Sequence, residues 1–326
     1  MKQYILRRLI ISLVVILGVS MMLYALVRSM PADYVSLSTS SSQKITEEMR
    51  DNLRKIYGLD KGIIEGYFDW LWSALHGDLG VSLTRNRPVA EVIAEYAPVT
   101  FTVALIALIL ELLIAIPLGI AAARRQYSKF DYAITAFVFI GISMPIFFLA
   151  ALLKKCFGPY GFSLLPISGM LTARVNYPDG MTFAKLMDYA QHLVLPITCF
   201  VVTGVGGYLR YVRTNMLDAL SADYVRTARA KGLPESTVVY RHAFRNTLIP
   251  IVTILGGSLP GLFSGAAVTE GIFALEGLGN IALKASYMAD IPYLMGFNMF
   301  LVVLTVIGYL ITDILYAVVD PRVRLG

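Results

Sequence analysis

The sequence predicts an all-α integral membrane protein, one bundle of six transmembrane helices, and three observations lead there. Of 326 residues, 57% are hydrophobic and only 15% charged, well below the roughly 25% charged of soluble domains. Long stretches almost free of Asp, Glu, Lys and Arg recur, each long enough to cross the roughly 30 Å hydrocarbon core at about 20 residues per helix. The cations gather beside short loops on one side of those stretches, the bias that orients a bundle in the bilayer. Membrane helices share one packed bundle, so residues 1–326 are expected to form a single transmembrane domain.

The first stretch, 9–27, follows MKQYILRRLI. Its apolar run is too long for a signal peptide and no small-residue cleavage site follows Ala25, so it is expected to remain as the first helix. Segment 29–98 is then a helical insertion on the outer side. Ile45, Met49, Leu53 and Ile56 recur at helical spacing until Gly58, and Tyr67, Leu71 and Leu75 do so until Gly77.

The second span, 99–123, holds one carboxylate, Glu111. An ionisable group at that depth costs about 2.5–3.5 kcal/mol on insertion scales, so Glu111 is expected to face protein or water. It either contacts a cationic group in transit or serves as a structural hydrogen-bonding or neutral acid. The third span, 132–153, carries a kink signal at Ser143, Met144 and Pro145. An outer loop, 154–188, is rich in Gly and Pro and has no period; the fourth span, 189–209, contains Gly204, Gly206 and Gly207.

In the fifth span, 246–269, Gly257, Gly261 and Gly265 repeat every four residues, flanked by Ser258 and Ser264 and interrupted by Pro260. Such a small-residue seam permits close backbone approach. It can line a path, pack helices, or pair with a second membrane chain, and the residues alone leave these open. Segment 270–290 contains EGIFALEGLGN, too short and glycine-rich for a free helix. It is expected to fold back into the mouth of the bundle, where irregular backbone lines a protein cavity rather than lipid. The sixth span is 291–312.

Six spans place both termini on one side. That side holds 15 of the Lys and Arg residues and the other 13, but eight of the 13 lie between Arg28 and Arg87 in the long insertion, where charges count little. The first side is therefore cytoplasmic, and it includes the loop 210–245. Within this loop Gly232 can end a helix in the left-handed conformation, and Pro234 with Glu235 can start another. Ala228 and Gly232, four apart, form a strip without bulk beside Val225 and Arg229, where another protein can approach closely. The plain alternative is a solvated basic loop that only marks topology.

At these residues the chain resembles a known family. YVRTARAKGL followed by YRHAFRNTLIP is similar to the cytoplasmic signature loop of ABC-importer permeases, in particular the B-type subunits of the oligopeptide, dipeptide and nickel branch. ILRRLIISLVVILGVSMMLYALVRSMPAD, LHGDLGVSLTRNRPVAEVI, IPLGIAAARR, GISMPIFFLA, EGLGN and DILYAVVDPRVR resemble the same family in the same order.

The resemblance implies a type I importer permease architecture, with a coupling helix near 221–231 that docks on a cytoplasmic ATPase. Arg226, Thr227 and Ala228 stand at the family's Glu-Ala-Ala positions and Gly232 at its glycine, so the ATPase-coupling residues are Arg226, Ala228, Arg229 and Gly232. His242, Phe244 and Arg245 replace the general pattern's Ile, Leu and Pro, as in the peptide branch. Glu111, Gly257, Ser258, Gly261, Ser264 and Gly265 are candidates for the translocation path or the permease interface. Phe273, Gly277 and Gly279 are candidates for the outer gate. The implied partners are a homologous second permease, two cytoplasmic ABC ATPase subunits, an extracytoplasmic substrate-binding protein and membrane lipid. Peptides are the implied cargo, with nickel or another small solute as the alternative within the family.

The chain itself is expected to be no enzyme and to bind no cofactor. The dipeptide Gly-Lys, which a P-loop requires, does not occur, so ATP and Mg are expected on partner subunits. His76, His192 and His242 are too scattered in topology to converge on one metal, and Cys156 and Cys199 show no paired motif. The basic pI of about 9.2 follows from membrane topology rather than nucleic-acid binding. A secondary transporter would show internal repeats and ion-coupling carboxylates, of which Glu111 is the sole trace. An intramembrane hydrolase would need a base near Ser264. Neither rival explains the cytoplasmic helix pair.

Overall fold

The computed structural model describes residues 2–30, 33–39, 46–56, 60–159, 161–173, 175–178, 180–258, 261–264 and 267–319. Helix α1 (Lys2–Arg28) begins the chain. The insertion follows as α2 (Tyr34–Thr39), α3 (Glu47–Ile56) and α4 (Ile63–Leu75). A short antiparallel hairpin, β1 (Val81–Ser82) and β2 (Arg87–Pro88), pairs Val81 with Pro88 and Ser82 with Arg87. Helices α3 and α4 carry the periodic residues from Met49 to Ile56 and from Tyr67 to Leu75, and the hairpin follows them.

Helix α5 (Val89–Arg124) starts inside the expected insertion, ten residues ahead of the apolar run. Pro98 and Pro117 lie within it. At about 1.5 Å per residue its 36 residues reach about 54 Å, far beyond the hydrocarbon thickness. The outer part of α5 therefore belongs to the cap, where Val89, Val92 and Ile93 pack with Tyr24, Tyr67, Leu278 and Tyr293.

The expected third span is two helices, α6 (Lys129–Ser143) and α7 (Ile146–Phe157), bent by 97°. Pro145 explains the break: it carries no N–H and pushes the preceding residue out of helical space, and Met144 is extended (φ −84°, ψ 119°). Helix α8 (Phe183–Ser221) is continuous over 39 residues. It ends at Ala222, and α9 (Asp223–Ala230) follows.

After a turn, α10 (Glu235–Thr237) runs into a π-helix (Val238–Phe244) and then α11 (Arg245–Ser258). Helices α12 (Gly261–Ser264) and α13 (Ala267–Ile272) complete the expected fifth span in short pieces. Segment 270–290, whose EGIFALEGLGN was expected to be too short and glycine-rich for a free helix, contains α14 (Leu278–Tyr287), with Gly277 at its N-cap and Gly279 in its first turn. Helix α15 (Ile291–Val319) ends the described chain.

Among the described residues, length and apolarity single out four helices able to cross a membrane: Ile10–Arg28, Val89–Arg124, Phe183–Ser221 and Ile291–Thr312. The bent α6–α7 pair makes up to five. Helices α5 and α8 form the most extensive pair, and α6 packs against both, with Val138 meeting Ala115 of α5 and Val205 and Leu209 of α8 in one cluster. Glycines set both approaches: a methyl at Gly119 would lie 2.9 Å from Val212, and one at Gly206 would lie 2.8 Å from Ile142.

Candidate functional site

The corner between α8 and α11, expected on the cytoplasmic side, is built residue by residue. Ala222 is extended (φ −71°, ψ 150°), which turns the chain from α8 into α9, and Asp223 occupies the first turn where an acid suits the helix dipole. At the other end the amide of Gly232 donates to the Arg229 carbonyl (2.9 Å) and that of Leu233 to the Ala228 carbonyl (3.4 Å). Those two bonds form a Schellman motif, and Gly232 takes the left-handed conformation it requires, at φ +74°. Pro234 is extended (φ −57°, ψ 140°) and the next helix begins at Glu235. The helix, corner and helix expected from Gly232, Pro234 and Glu235 are present, and the second helix runs on into α11.

One guanidinium spans the corner. Arg229 Nη2 donates to Glu235 Oε1 at 2.9 Å and Nε to Oε2 at 3.2 Å. The bond from Arg229 holds the Glu235 carboxyl below the usual carboxylate range. Arg226 reaches Asp223 at 3.4 Å and is 73% exposed.

The strip expected beside Ala228 is corrected by burial. Val225 is 0% and Ala228 5% exposed, and both pack into a cluster with Ile120 of α5, Val212 and Met216 of α8, and Val238, Val239 and Ala243 of the π-helix. Residues three apart lie on one helix face, so this face is filled by the chain itself. Tyr224, Arg226, Thr227 and Lys231 point outward instead. A Cβ at Gly232 meets nothing within 4 Å. That glycine is therefore required by backbone conformation rather than by space within the chain.

Above this layer, Asp131 is 2% exposed and accepts from Arg213 Nε (2.7 Å), Arg213 Nη2 (2.8 Å) and the Tyr127 amide (3.0 Å). The pair ties the start of α6 to α8.

Glu111 is 8% exposed. Gly204 of α8 lies so close that a methyl there would overlap the Glu111 carboxyl. Ser258 Oγ donates to the Leu255 carbonyl (2.8 Å) within α11, so of the expected path residues it is Glu111 that is set against α8. Among the described residues, a Cβ at Gly261 meets nothing within 4 Å. Gly257 and Ser264 lie in α11 and α12; Pro260 and Gly265 lie outside the described residues.

The three expected gate residues divide between two sets of contacts, Phe273 in an apolar cluster and Gly277 and Gly279 around Glu270. Phe273 is 1% exposed and packs with Val103, Leu149, Leu193 and Cys199, joining α5, α7 and α8. Its carbonyl accepts from the Gly169 amide (2.8 Å), and the neighbouring Ile272 carbonyl accepts from Lys154 Nζ (2.6 Å). Glu270, buried at the start of this segment, accepts from Thr100 Oγ1 and from the Asn280 amide, both at 2.8 Å. Thr100 Oγ1 in turn accepts from the Leu278 amide (2.8 Å). Gly277 and Gly279 flank this carboxylate: a Cβ at Gly277 would fall 2.5 Å from Glu270 Cδ, and one at Gly279 2.9 Å from the Ala267 amide nitrogen.

Asp290 was not singled out by sequence reasoning, yet it is fully buried. It accepts from Ser82 Oγ (2.7 Å), Thr84 Oγ1 (2.7 Å) and the Thr84 amide (2.9 Å), fastening the hairpin to the start of α15. Asp188 does likewise for the outer loop, accepting from the Thr172 amide (2.7 Å) and Oγ1 (2.6 Å). The available signal was an acid at the edge of an apolar run; its distant partners carry none.

The comparisons agree along the whole chain. Residues 115–325 match the family described as binding-protein-dependent transport system inner membrane component, and residues 1–104 match the N-terminal model of the same membrane component. The oligopeptide transport system permease protein AppB of Bacillus subtilis (strain 168) is 36% identical, covering 99% of this chain and 100% of its own length. The dipeptide transport system permease protein DppB of Escherichia coli (strain K12) is 32% identical, covering 99% of each. With the helical bundle and the apolar spans, these matches show that the chain belongs to the binding-protein-dependent transport system inner membrane component family.

Proposed function

We propose that this chain is the permease subunit of an ATP-driven importer of peptides, forming half of a path shared with a homologous second permease. The observation that carries the reading is α9: a short helix held from behind by Val225 and Ala228, with Tyr224, Arg226, Thr227 and Lys231 facing outward. A helix pinned on one face and bare on the other transmits a push. Two cytoplasmic ATPase subunits bind ATP and Mg, and their closure moves α9 together with the continuous helix from Glu235 to Ser258. Arg226 and Arg229 belong to the docking surface and its corner; Ala228 and Gly232 hold its shape.

Six crossings, with both termini cytoplasmic, follow if the α6–α7 pair and the α11–α13 series each count as one broken span. Discontinuous helices suit a path near the midplane. Glu111 and Ser258, with Gly257, Gly261, Ser264 and Gly265, then line that path or the seam with the second permease. The segment around Phe273, Gly277 and Gly279 forms the outer gate, and the cap receives a substrate-binding protein. Peptide cargo is favoured by the full-length likeness to the oligopeptide and dipeptide permeases. Nickel or another small solute is the alternative.

The test is to purify the tagged chain from its own membrane in mild detergent. Recovery of a second permease and P-loop ATPases, lost when α9 is replaced by a flexible linker, supports the reading. Recovery of the chain alone, with uptake that survives ATP depletion but collapses with the ion gradient, points to a secondary transporter.

A further inference from the structure

We propose that the outer half of the bundle holds one phospholipid with a primary-ammonium zwitterionic headgroup, its chains in the groove between α1, α4, α5 and α15. The proposal needs α1, α5 and α15 to cross the membrane and is independent of what is transported.

The groove encloses about 730 Å³, and every side chain lining it is apolar, including Leu13 and Leu17 of α1, Ala94 of α5, and Phe300 and Val303 of α15. A second cavity of about 220 Å³ adjoins it, with Arg28, Asp69, Ser73 and Asp78 in its lining. Trp70 and Leu79 line both. The indole N–H of Trp70 is buried without a hydrogen-bond partner among the described residues, which leaves an unsatisfied donor at the junction of the oily and polar parts. An ester carbonyl of a bound lipid reaches this level, and a small ring rotation satisfies the donor.

Length selects the occupant. From Arg28 down to Leu13 the path follows 15 residues of α1, about 22 Å. One leaflet is half of a core about 30 Å thick plus its share of the headgroup layers, about 20–22 Å in all. A second transmembrane helix would need the full thickness and would press against α4, whose Trp70, Leu71 and Leu75 close the upper end.

Charge selects the headgroup. Arg28, which also donates to the Lys61 carbonyl (2.6 Å), stands with Lys61 against the two carboxylates, so the site is near neutral and suits a headgroup that carries a phosphate and an ammonium together. Asp69 pairs with Lys61, and Asp78 accepts from the Gly80 amide (2.8 Å). Each ionised carboxylate offers about four acceptor sites, so both retain capacity for a primary ammonium, which donates hydrogen bonds where a quaternary one cannot.

The assembled complex is reconstituted in nanodiscs of equal parts phosphatidylethanolamine, phosphatidylcholine and phosphatidylglycerol, re-extracted, and its retained lipid identified by mass spectrometry. Phosphatidylethanolamine is expected to be enriched about tenfold over phosphatidylglycerol. Ala94→Trp and Val303→Trp fill the groove from opposite walls, and either is expected to abolish that retention. Asp69→Asn, on the exposed side of α4, is expected to keep a lipid but lose the headgroup preference. Equal retention of the three lipids, or undiminished retention in whichever groove variant assembles, overturns the proposal. So does cross-linking of Ala94→Cys to the second permease.

Discussion

Replacing Gly232 separates the two roles the corner combines. Its φ of +74° is costly for an L-residue, by about 1–2 kcal/mol, while an added Cβ meets nothing within 4 Å. In the chain alone, Gly232→Ala and Gly232→Trp should therefore weaken the corner equally. Opening of the Schellman bonds should rise about 5- to 30-fold for that cost. Gly232→Asn, which tolerates the left-handed region better, should fall between alanine and wild type. Hydrogen exchange at the amides of Gly232 and Leu233 reads this directly. In the assembled complex, peptide-stimulated ATP hydrolysis should fall further for tryptophan than for alanine, because its bulk enters the docking surface. If tryptophan opens the free corner far more than alanine, or if asparagine is as damaging as alanine, the conformational argument is wrong. If Gly232→Trp leaves stimulated hydrolysis and uptake intact, the docking role is wrong.

Further outcomes follow from the buried polar contacts. Thr100→Val removes the hydroxyl that serves both Glu270 and the Leu278 amide. It should lower stability by about 1–3 kcal/mol and speed hydrogen exchange in α14, whereas unchanged exchange there would refute this contact. Gly277→Ala drives a methyl into Glu270 and should cost about 1–3 kcal/mol in a thermal melt of the detergent-purified chain. Arg213→Ala strands the buried Asp131 and should cost about 3 kcal/mol, the low end for a broken buried pair, with Arg213→Lys milder; equal melts for both would argue against the bidentate contact. In the cap, burial raises the Asp33 carboxyl, but hydrogen bonds from Ser36 and Arg54 outweigh it and leave it lowered. A lowered folded value means this stabilisation is present above the ordinary carboxylate range and is lost as pH falls through the folded value. Exchange in α3 should accelerate below about pH 4, and Asp33→Asn should remove that dependence.

The apolar spans, the helices α3 and α4 and the corner at Gly232 were legible because each rests on local residues. Apolar length marks a span wherever it occurs, and Gly232 with Pro234 forces a corner whatever surrounds it. The face of α9 was not legible: Val225 and Ala228 are buried by residues of α5, α8 and the π-helix, and no local pattern reveals which small residues a distant helix will cover. The same holds for Asp290, whose partners Ser82 and Thr84 lie 208 and 206 positions away. Pro145 signalled a kink but not its 97° extent, nor that Leu149 and Ala150 beyond it would share a cluster with the distant Phe273 and Leu275. The glycines of EGLGN read as helix breakers because their partner, the Glu270 carboxylate, becomes visible only when the segment folds.

The central claim is that the outward face of α9 meets an ATPase. Single cysteines at Arg226, Thr227 and Ala228, introduced after Cys156 and Cys199 are changed to alanine, test it in the intact complex with a short bifunctional cross-linker. Arg226→Cys and Thr227→Cys should join an ATPase subunit in a nucleotide-dependent manner, and Ala228→Cys, turned toward α8, should not. Cross-linking at Ala228 alone, or at none of the three positions while ATP-driven uptake continues, would contradict the account.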